Sequence, residues 1–267
     1  MAIANSLAFL LYLGCSAMLI RRFTQREQKL GAMAIPVGIL TTLALLFHGS
    51  GIFFTMQQAG GWDVSLFSTV AIATWLMAFI TFLSGIKFPI AHPGIIIYPL
   101  VALSLMLQVQ VPETTVSPLS EPALEWHILL SLAAYSLFTL AALQAIVLAV
   151  QEQQLRQRHI AGLIRKLPPL QSMETTLFQL LSAGFLLLTI GLITGFMFLE
   201  DILAQHLAHK TFLSIIAWCV FATLLWGRWR YGWRGKTAVK WTLVGFTFLA
   251  LAFIGSKLIL EFLLGRP

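Results

Sequence analysis

The feature that most limits how this chain can fold is a long stretch without a charged residue, residues 126–151. As an α-helix rising ~1.5 Å per residue, residues 127–149 would cover roughly 33 Å, enough to cross the ~30 Å hydrocarbon core of a bilayer. Small residues recur at every fourth position, at Ala141, Ala145 and Ala149. Such a seam lets a second helix approach closely in lipid. The stretch therefore predicts a membrane-spanning helix with a packing face.

Seven further apolar runs lie along the chain, and the composition is that of a membrane protein. The chain is 58% hydrophobic and 10% charged, whereas soluble domains carry about 25% charged residues. A soluble chain of this length could not bury so much apolar surface. We therefore predict an all-α polytopic membrane protein, a bundle of eight transmembrane helices in one integral-membrane domain over residues 1–267. The predicted spans are residues 3–20, 33–54, 64–86, 94–110, 126–150, 177–199, 210–226 and 238–261. The sixth of them carries a GxxxG pair, Gly191 and Gly195, which predicts a second helix-packing notch.

The distribution of Lys and Arg predicts the orientation of these spans. Eight spans place both termini on one side, and fourteen of the 17 Lys and Arg residues then fall on the opposite side. The three exceptions are Lys210, Lys257 and Arg266. Loops rich in Lys and Arg stay in the cytoplasm, so we expect both termini to lie outside it. No positive residue precedes the first run, while Arg21 and Arg22 follow it, which predicts a retained helix rather than a cleaved signal peptide.

A basic and aromatic segment, residues 227–236 (GRWRYGWRGK), connects the last two predicted spans on the cytoplasmic side. Together with the formal net charge of +7, it is compatible with nucleic-acid binding. Tryptophans and cations also gather where spans leave the bilayer, because both suit the headgroup region. We favour this second interpretation, an interfacial anchor in the lipid bilayer, and predict no nucleic-acid partner.

The sequence lacks the residues that several classes of chemistry need. Cys15 and Cys219 lie inside apolar runs and form no CxxC pair, which argues against thiol–disulfide exchange and against a disulfide framework. No phosphate-binding loop, catalytic carboxylate pair or nucleophile elbow is present, so we predict that the chain is not an enzyme. Charges within the spans, which mark ion pathways, are almost absent, and this disfavours a small-solute transporter.

The histidines remain as candidates for a site. Four of them, His48, His127, His206 and His209, map to the outer side, while the other two fall on the cytoplasmic side. Neutral imidazole is a good axial ligand for haem iron, and two imidazoles can clamp one haem. Single histidines of this kind also occur as interfacial residues bonded to a carbonyl, water or headgroup. Zinc is a weaker alternative: His206 and His209 could share a helix face, but no third ligand stands out.

Segments along nearly the whole chain resemble one known family. They are His48 with Trp75, His127 with Tyr135 and Gln144, residues 167–174 (LPPLQSME), Gly191 and Gly195, residues 209–211 (HKT), Trp218, and residues 232–235 (GWRG). These segments are similar to the CcsA/YpjD-type cytochrome c assembly family, and they are nearest to its YpjD branch of bacterial inner-membrane proteins.

The resemblance implies a haem site on the outer face of the membrane. Family members handle haem there and present it to apocytochrome c, using histidines beside a tryptophan-rich loop. Carried over to this chain, the resemblance gives haem-binding roles to His48, His127 and His209, with His209 and one of the other two, first of all His127, as ligands of the iron. We add His206, which would substitute for part of the tryptophan-rich loop. The loop itself maps to residues 196–209, which contain no tryptophan. The similar HemX proteins also lack the tryptophan motif, and they act in controlling haem biosynthesis.

Two hypotheses of function follow. In the first, the chain is a haem-binding or haem-handling protein of the bacterial inner membrane, linked to cytochrome c assembly and to another membrane protein of that process. In the second, it is a HemX-like regulator or accessory subunit of a partner protein and holds no haem. The outer histidines favour the first hypothesis, and the missing tryptophans favour the second.

Overall fold

The computed structural model describes residues 2–24, 35–61, 65–87, 92–109, 122–157, 167–198 and 205–255, and these ranges contain helices and no strand. The helices are α1 (Ala2–Thr24), α2 (Ile35–Ala59), α3 (Leu66–Lys87), α4 (His92–Val109), α5 (Pro122–Arg156), α6 (Leu170–Phe198), α7 (Gln205–Tyr231) and α8 (Lys236–Ala250). A π-helical turn, Leu251–Gly255, continues α8. The predicted all-α fold is confirmed.

Seven of these helices are long and apolar enough to cross a membrane. The fourth, α4, has a shorter apolar part, Pro93–Leu107, and carries Pro99 in its interior. Proline removes a backbone donor, which a membrane helix tolerates where neighbouring helices satisfy the freed carbonyl. The chain is therefore a multi-pass membrane protein, as its composition predicted.

The helices fall into two compact units, Met1–Ser120 with α1 to α4 and Glu121–Pro267 with α5 to α8. In the first unit α1 packs against α2 and α4, and α3 packs against the same two helices. In the second unit α5 packs against α6 and α8, and α7 packs against the same two helices. That the whole chain forms one domain stays a prediction.

An aromatic pair lies at the centre of the second unit. The rings of Phe138 on α5 and Phe221 on α7 are fully buried and stack with centroids 4.0 Å apart. Glycine flanks each ring, Gly184 of α6 beside Phe138 and Gly245 of α8 beside Phe221. A Cβ at Gly245 would stand 2.7 Å from the Phe221 ring, so the missing side chain is what lets the helices approach.

The small residues of α5 and α6 form the packing faces that the sequence predicted. Ala141 and Ala145 are fully buried. On α6, Gly191 lies opposite Ser131 of α5, and Gly195 lies opposite His127 one turn further along. The GxxxG pair is thus a helix-packing notch, and α5 fills it.

The connection between α7 and α8 is a tight turn that depends on two glycines. Gly232 has a φ of 68°, and its N–H donates to Arg228 O (3.1 Å), the bond of an αL C-cap, while Trp233 N–H donates to Gly227 O (3.2 Å). Gly235 precedes α8 with a φ of 56°. Both glycines hold a left-handed conformation that a residue with a Cβ would adopt only at a cost.

Candidate functional site

His127 is the sixth residue of α5, and α6 holds its ring in place. Its Nδ1 lies 3.1 Å from the Oγ1 of Thr194. The Thr194 hydroxyl donates its own hydrogen back along α6, since Oγ1 lies 3.0 Å from the carbonyls of both Ile190 and Gly191. Nδ1 must then carry the proton that it donates to Oγ1. This tautomer leaves a lone pair on Nε2, and the backbone of Gly191 also lies near the ring.

Gly195 sets the position of the His127 ring against α6. A Cβ at Gly195 would stand 3.1 Å from the ring atom Cε1, which is tighter than ordinary van der Waals contact. The ring is therefore packed against the α6 backbone on one side and hydrogen-bonded one residue earlier, at Thr194. Around this end of the two helices, Trp126, Phe196 and Met197 are exposed. The half-buried imidazole of His127 thus lies next to apolar and aromatic surface.

His48 has a different environment, inside the first unit. It is fully buried, and its ring makes an edge-to-face contact with Tyr12 of α1, whose hydroxyl lies 3.5 Å from Nδ1. Nε2 is buried and has no hydrogen-bond partner among the described residues. The backbone of Ala71 on α3 lies near the ring but does not meet hydrogen-bond geometry with this atom.

The position of His48 along its helix also differs from expectation. The sequence placed it near the outer end of a span that finished at residue 54, but α2 continues to Ala59. His48 is therefore about 16 Å from the end of the helix, at ~1.5 Å per residue. The helix continues because residues 55–59 (TMQQA) include no glycine or proline, and the glycine that breaks it is Gly60, with a φ of 71°.

His48 belongs, through Tyr12, to a buried polar cluster that sequence reasoning did not find. The ring of Tyr12 also packs against Tyr98 of α4, with centroids 5.7 Å apart. One turn of α1 further on, Cys15 Sγ lies 3.5 Å from Thr41 Oγ1. Tyrosines in the middle of apolar runs were the available signal, since a buried hydroxyl usually needs a partner. His48 is thus buried and in contact with polar side chains inside the first unit.

The other predicted histidines are only partly described. The sequence placed His206 and His209 in a loop, but α7 begins at Gln205 and includes both. The loop prediction was wrong because QHLAH contains no helix breaker, so the helix can begin at Gln205. Their side chains, that of His92, and all of His159 lie outside the described residues. The described residues contain no group of three potential metal ligands.

The structure thus places His48 in the first unit and His127, with the helix of His206 and His209, in the second. That these histidines meet at one outer site stays a prediction. Thr194 was missed although it lies inside the recognised GxxxG pair, because spacing alone does not show which side chain a threonine faces.

Comparison with known proteins identifies the family. The family model described as cytochrome C assembly protein matches residues 2–264. The inner membrane protein YpjD of Escherichia coli K12 is 34% identical over 165 residues, 61% of this chain and 62% of its own length, so the chain spans about three fifths of that relative.

Two more distant relatives align over most of the chain. Protein HemX of Brevibacillus brevis is 22% identical over 93% of both chains. The cytochrome c biogenesis protein CcsA of Prochlorococcus marinus strain SARG is 22% identical over 82% of this chain and 80% of its own. The chain belongs to the cytochrome c assembly protein family.

Proposed function

We propose that this chain is a haem-handling protein of the bacterial inner membrane that acts in cytochrome c assembly, as an assembly factor rather than an enzyme. The family match across residues 2–264 and the relative named for cytochrome c biogenesis support the process. The relative named as an inner membrane protein, together with seven span-length helices, supports the location. Both termini lie outside the cytoplasm in this proposal, because of the bias in Lys and Arg.

The observation that carries the haem assignment is the fixed ring of His127. Iron in haem takes a neutral imidazole nitrogen, and the partner of the other ring nitrogen sets which nitrogen is available. The Nδ1 contact with Thr194 leaves Nε2 as the available nitrogen. The exposed Trp126 and Phe196 nearby suit the apolar faces of a porphyrin. The donor type and the surroundings therefore fit haem, and the bound group would supply an iron centre.

The second ligand in this proposal is His209, with His206 beside it. The two lie three residues apart in the first turns of α7, which belongs to the same unit as His127. His48 is the weaker candidate because it is fully buried and bonded within the core of the first unit. Nε2 of His48 would reach a porphyrin only if the helices around it separated.

An accessory subunit without haem is the second candidate function. Residues 196–209 contain no tryptophan, and the relative HemX aligns over 93% of the chain. In this alternative the contact of His127 with Thr194 only joins α5 to α6, and the exposed apolar ends of these helices contact a membrane partner.

Haem content separates the two candidates. The protein would be purified from haem-supplemented membranes, and haem would be measured by absorption and by extraction with pyridine. The haem-handling proposal predicts a Soret band with sharp low-spin bands at close to one haem per chain. Haem-free protein that co-purifies with one membrane partner would overturn the haem assignment and favour the accessory subunit.

A threonine substitution tests whether Thr194 holds a ligand. Thr194→Val keeps the shape of the side chain and removes the acceptor for Nδ1–H, and loss of such a partner weakens metal binding by about 10- to 100-fold. Thr247→Val is the matched control, since Thr247 is exposed on α8 and its hydroxyl donates to the carbonyl of Leu243 in the same helix. Equal haem affinity in the two variants would contradict the assigned role of Thr194.

A further inference from the structure

The end of α7 and the start of α8 present a group of exposed aromatic and basic side chains. The indoles of Trp226 and Trp229 are 58% and 77% exposed and meet edge to face, with ring centroids 5.3 Å apart. Four cations in the stretch that follows, residues 230–240, are also exposed. We refer to these six residues as the aromatic–basic surface: Trp226, Trp229, Arg230, Arg234, Lys236 and Lys240.

Hydrogen bonds fix the turn that carries this surface, and Arg228 takes part in them. Arg228 points inward, where Nη1 donates to the carbonyl of Trp233 at 3.1 Å and the guanidinium lies 4.6 Å from the ring centroid of Phe178. The backbone N–H of Gly235 donates to Glu174 Oε1 at 2.8 Å, which ties the turn to α6. The outward cations are therefore held on a fixed backbone.

The positive charge of the surface is not neutralised within the described residues. No Asp or Glu occurs in the sequence between Asp201 and Glu261. Two carboxylates from other helices lie near the turn, and both are engaged. Glu152 pairs with Arg156 at 2.9 Å, and Glu174 accepts the Gly235 bond. The four exposed cations make no ion pair to a described carboxylate.

The surface lies where a span leaves the bilayer. The candidate span of α7, Lys210–Tyr231, carries no charge from residue 211 to residue 227, which at ~1.5 Å per residue is roughly 26 Å and close to the ~30 Å hydrocarbon core. Exposed residues recur along one face of this helix at helical spacing, and Trp226 and Arg230 end the row: Phe212, Ile215, Cys219, Thr223, Trp226, Arg230. A face that is apolar along its length faces lipid, so its basic end lies at the headgroup level.

We propose that the aromatic–basic surface is a binding site for anionic phospholipid headgroups, with the cations binding the phosphates and the indoles lying at the interface beneath them. Charge complementarity favours an anionic over a zwitterionic lipid, because cations near a membrane gain about 1 kcal/mol each from anionic headgroups. Continuity with the lipid-facing side of α7 favours lipid over a nucleic acid, which would approach from water.

The test measures thermal unfolding of the full-length protein in detergent micelles, titrated with dioleoylphosphatidylglycerol or with dioleoylphosphatidylcholine. Wild-type protein should be stabilised by the anionic lipid and much less by the zwitterionic one. Removing two cations in Arg230→Gln/Arg234→Gln should weaken the apparent affinity for the anionic lipid by roughly 30-fold, at about fivefold per charge. Raising the salt concentration should reduce the difference between the two proteins.

Two control variants test whether lipid binding depends on this surface in particular. Arg21→Gln removes an exposed cation from the end of α1, where no exposed tryptophan accompanies it, and should leave the affinity near wild type. Trp226→Leu/Trp229→Leu keeps apolar character but removes the indoles, and should weaken binding while the cations remain. Equal stabilisation by both lipids, an unchanged affinity in the Arg230/Arg234 variant, or stabilisation by a single-stranded oligonucleotide alone would overturn the proposal.

Discussion

Replacing Gly245 by alanine should destabilise the second unit, although alanine is the better helix former. The side chain would enter the space against Phe221, with Cβ 2.7 Å from two of the ring atoms. Phe221 cannot move away freely, because it stacks on Phe138 at 4.0 Å, and Phe138 in turn lies 3.2–3.3 Å from the Cβ position of Gly184. Two rings are thus confined between two glycines.

The size of the effect follows from two opposing terms. Glycine to alanine in a helix gains about 1 kcal/mol, and overpacking a core costs roughly 1–3 kcal/mol. For Gly245→Ala the overpacking term should dominate and leave a net loss of up to about 2 kcal/mol. For Gly191→Ala, where the nearest atom is Ser131 Oγ at 3.5 Å, only the gain should remain. Gly184→Ala should fall between these two variants.

The assay is reversible unfolding of each purified variant in detergent, followed by circular dichroism. A double variant, Gly245→Ala/Phe221→Leu, tests the cause, because the smaller Leu side chain makes room for the new methyl group. Residues in contact show coupling energies of about 0.5–3 kcal/mol, so the double variant should be more stable than the sum of the single changes. If Gly245→Ala is as stable as Gly191→Ala, the aromatic pair is not confined as described.

Three further predictions concern other parts of the chain. Tyr135→Phe should cost about 0.5–1.5 kcal/mol of unfolding free energy, since the hydroxyl donates to the Leu249 carbonyl at 2.7 Å beside the π-helical turn; chemical unfolding measures it. Gly232→Ala should lower Tm, because its positive φ would cost alanine about 1 kcal/mol or more. A reporter active only outside the cytoplasm should work when fused after Pro267 and be silent within residues 157–166, and the reverse pattern would contradict the orientation.

The spans could be predicted from the sequence because the absence of charge over some twenty residues has one structural solution in lipid. The ends of the helices were harder to predict than their apolar middles. Both α2 and α7 extend beyond the predicted spans, since polar segments such as residues 55–59 and 205–209 can stay helical without being part of the apolar core. An apolar run shows which part of a helix lies in the hydrocarbon core, whereas the helix itself ends at a breaker such as Gly60.

The sequence predicted which residues belong to the candidate site better than it predicted what surrounds each of them. His127 and the GxxxG pair were both found in the sequence, but that they face each other depends on the rotation of α5 against α6. Thr194 and the buried position of His48 depend on the same kind of information. Periodicity gives the faces of each helix, and the partner of each face is set only when the helices pack.

The most direct test of the central claim, that His127 binds haem iron, is the absorption spectrum of His127→Gly purified from haem-supplemented membranes, recorded without and with added imidazole. We predict that the wild type and the cytoplasmic-side control His159→Ala show low-spin haem bands, that His127→Gly loses them, and that imidazole restores them by occupying the vacated position. A wild-type spectrum in His127→Gly without imidazole, or no haem in the wild type, would contradict the account.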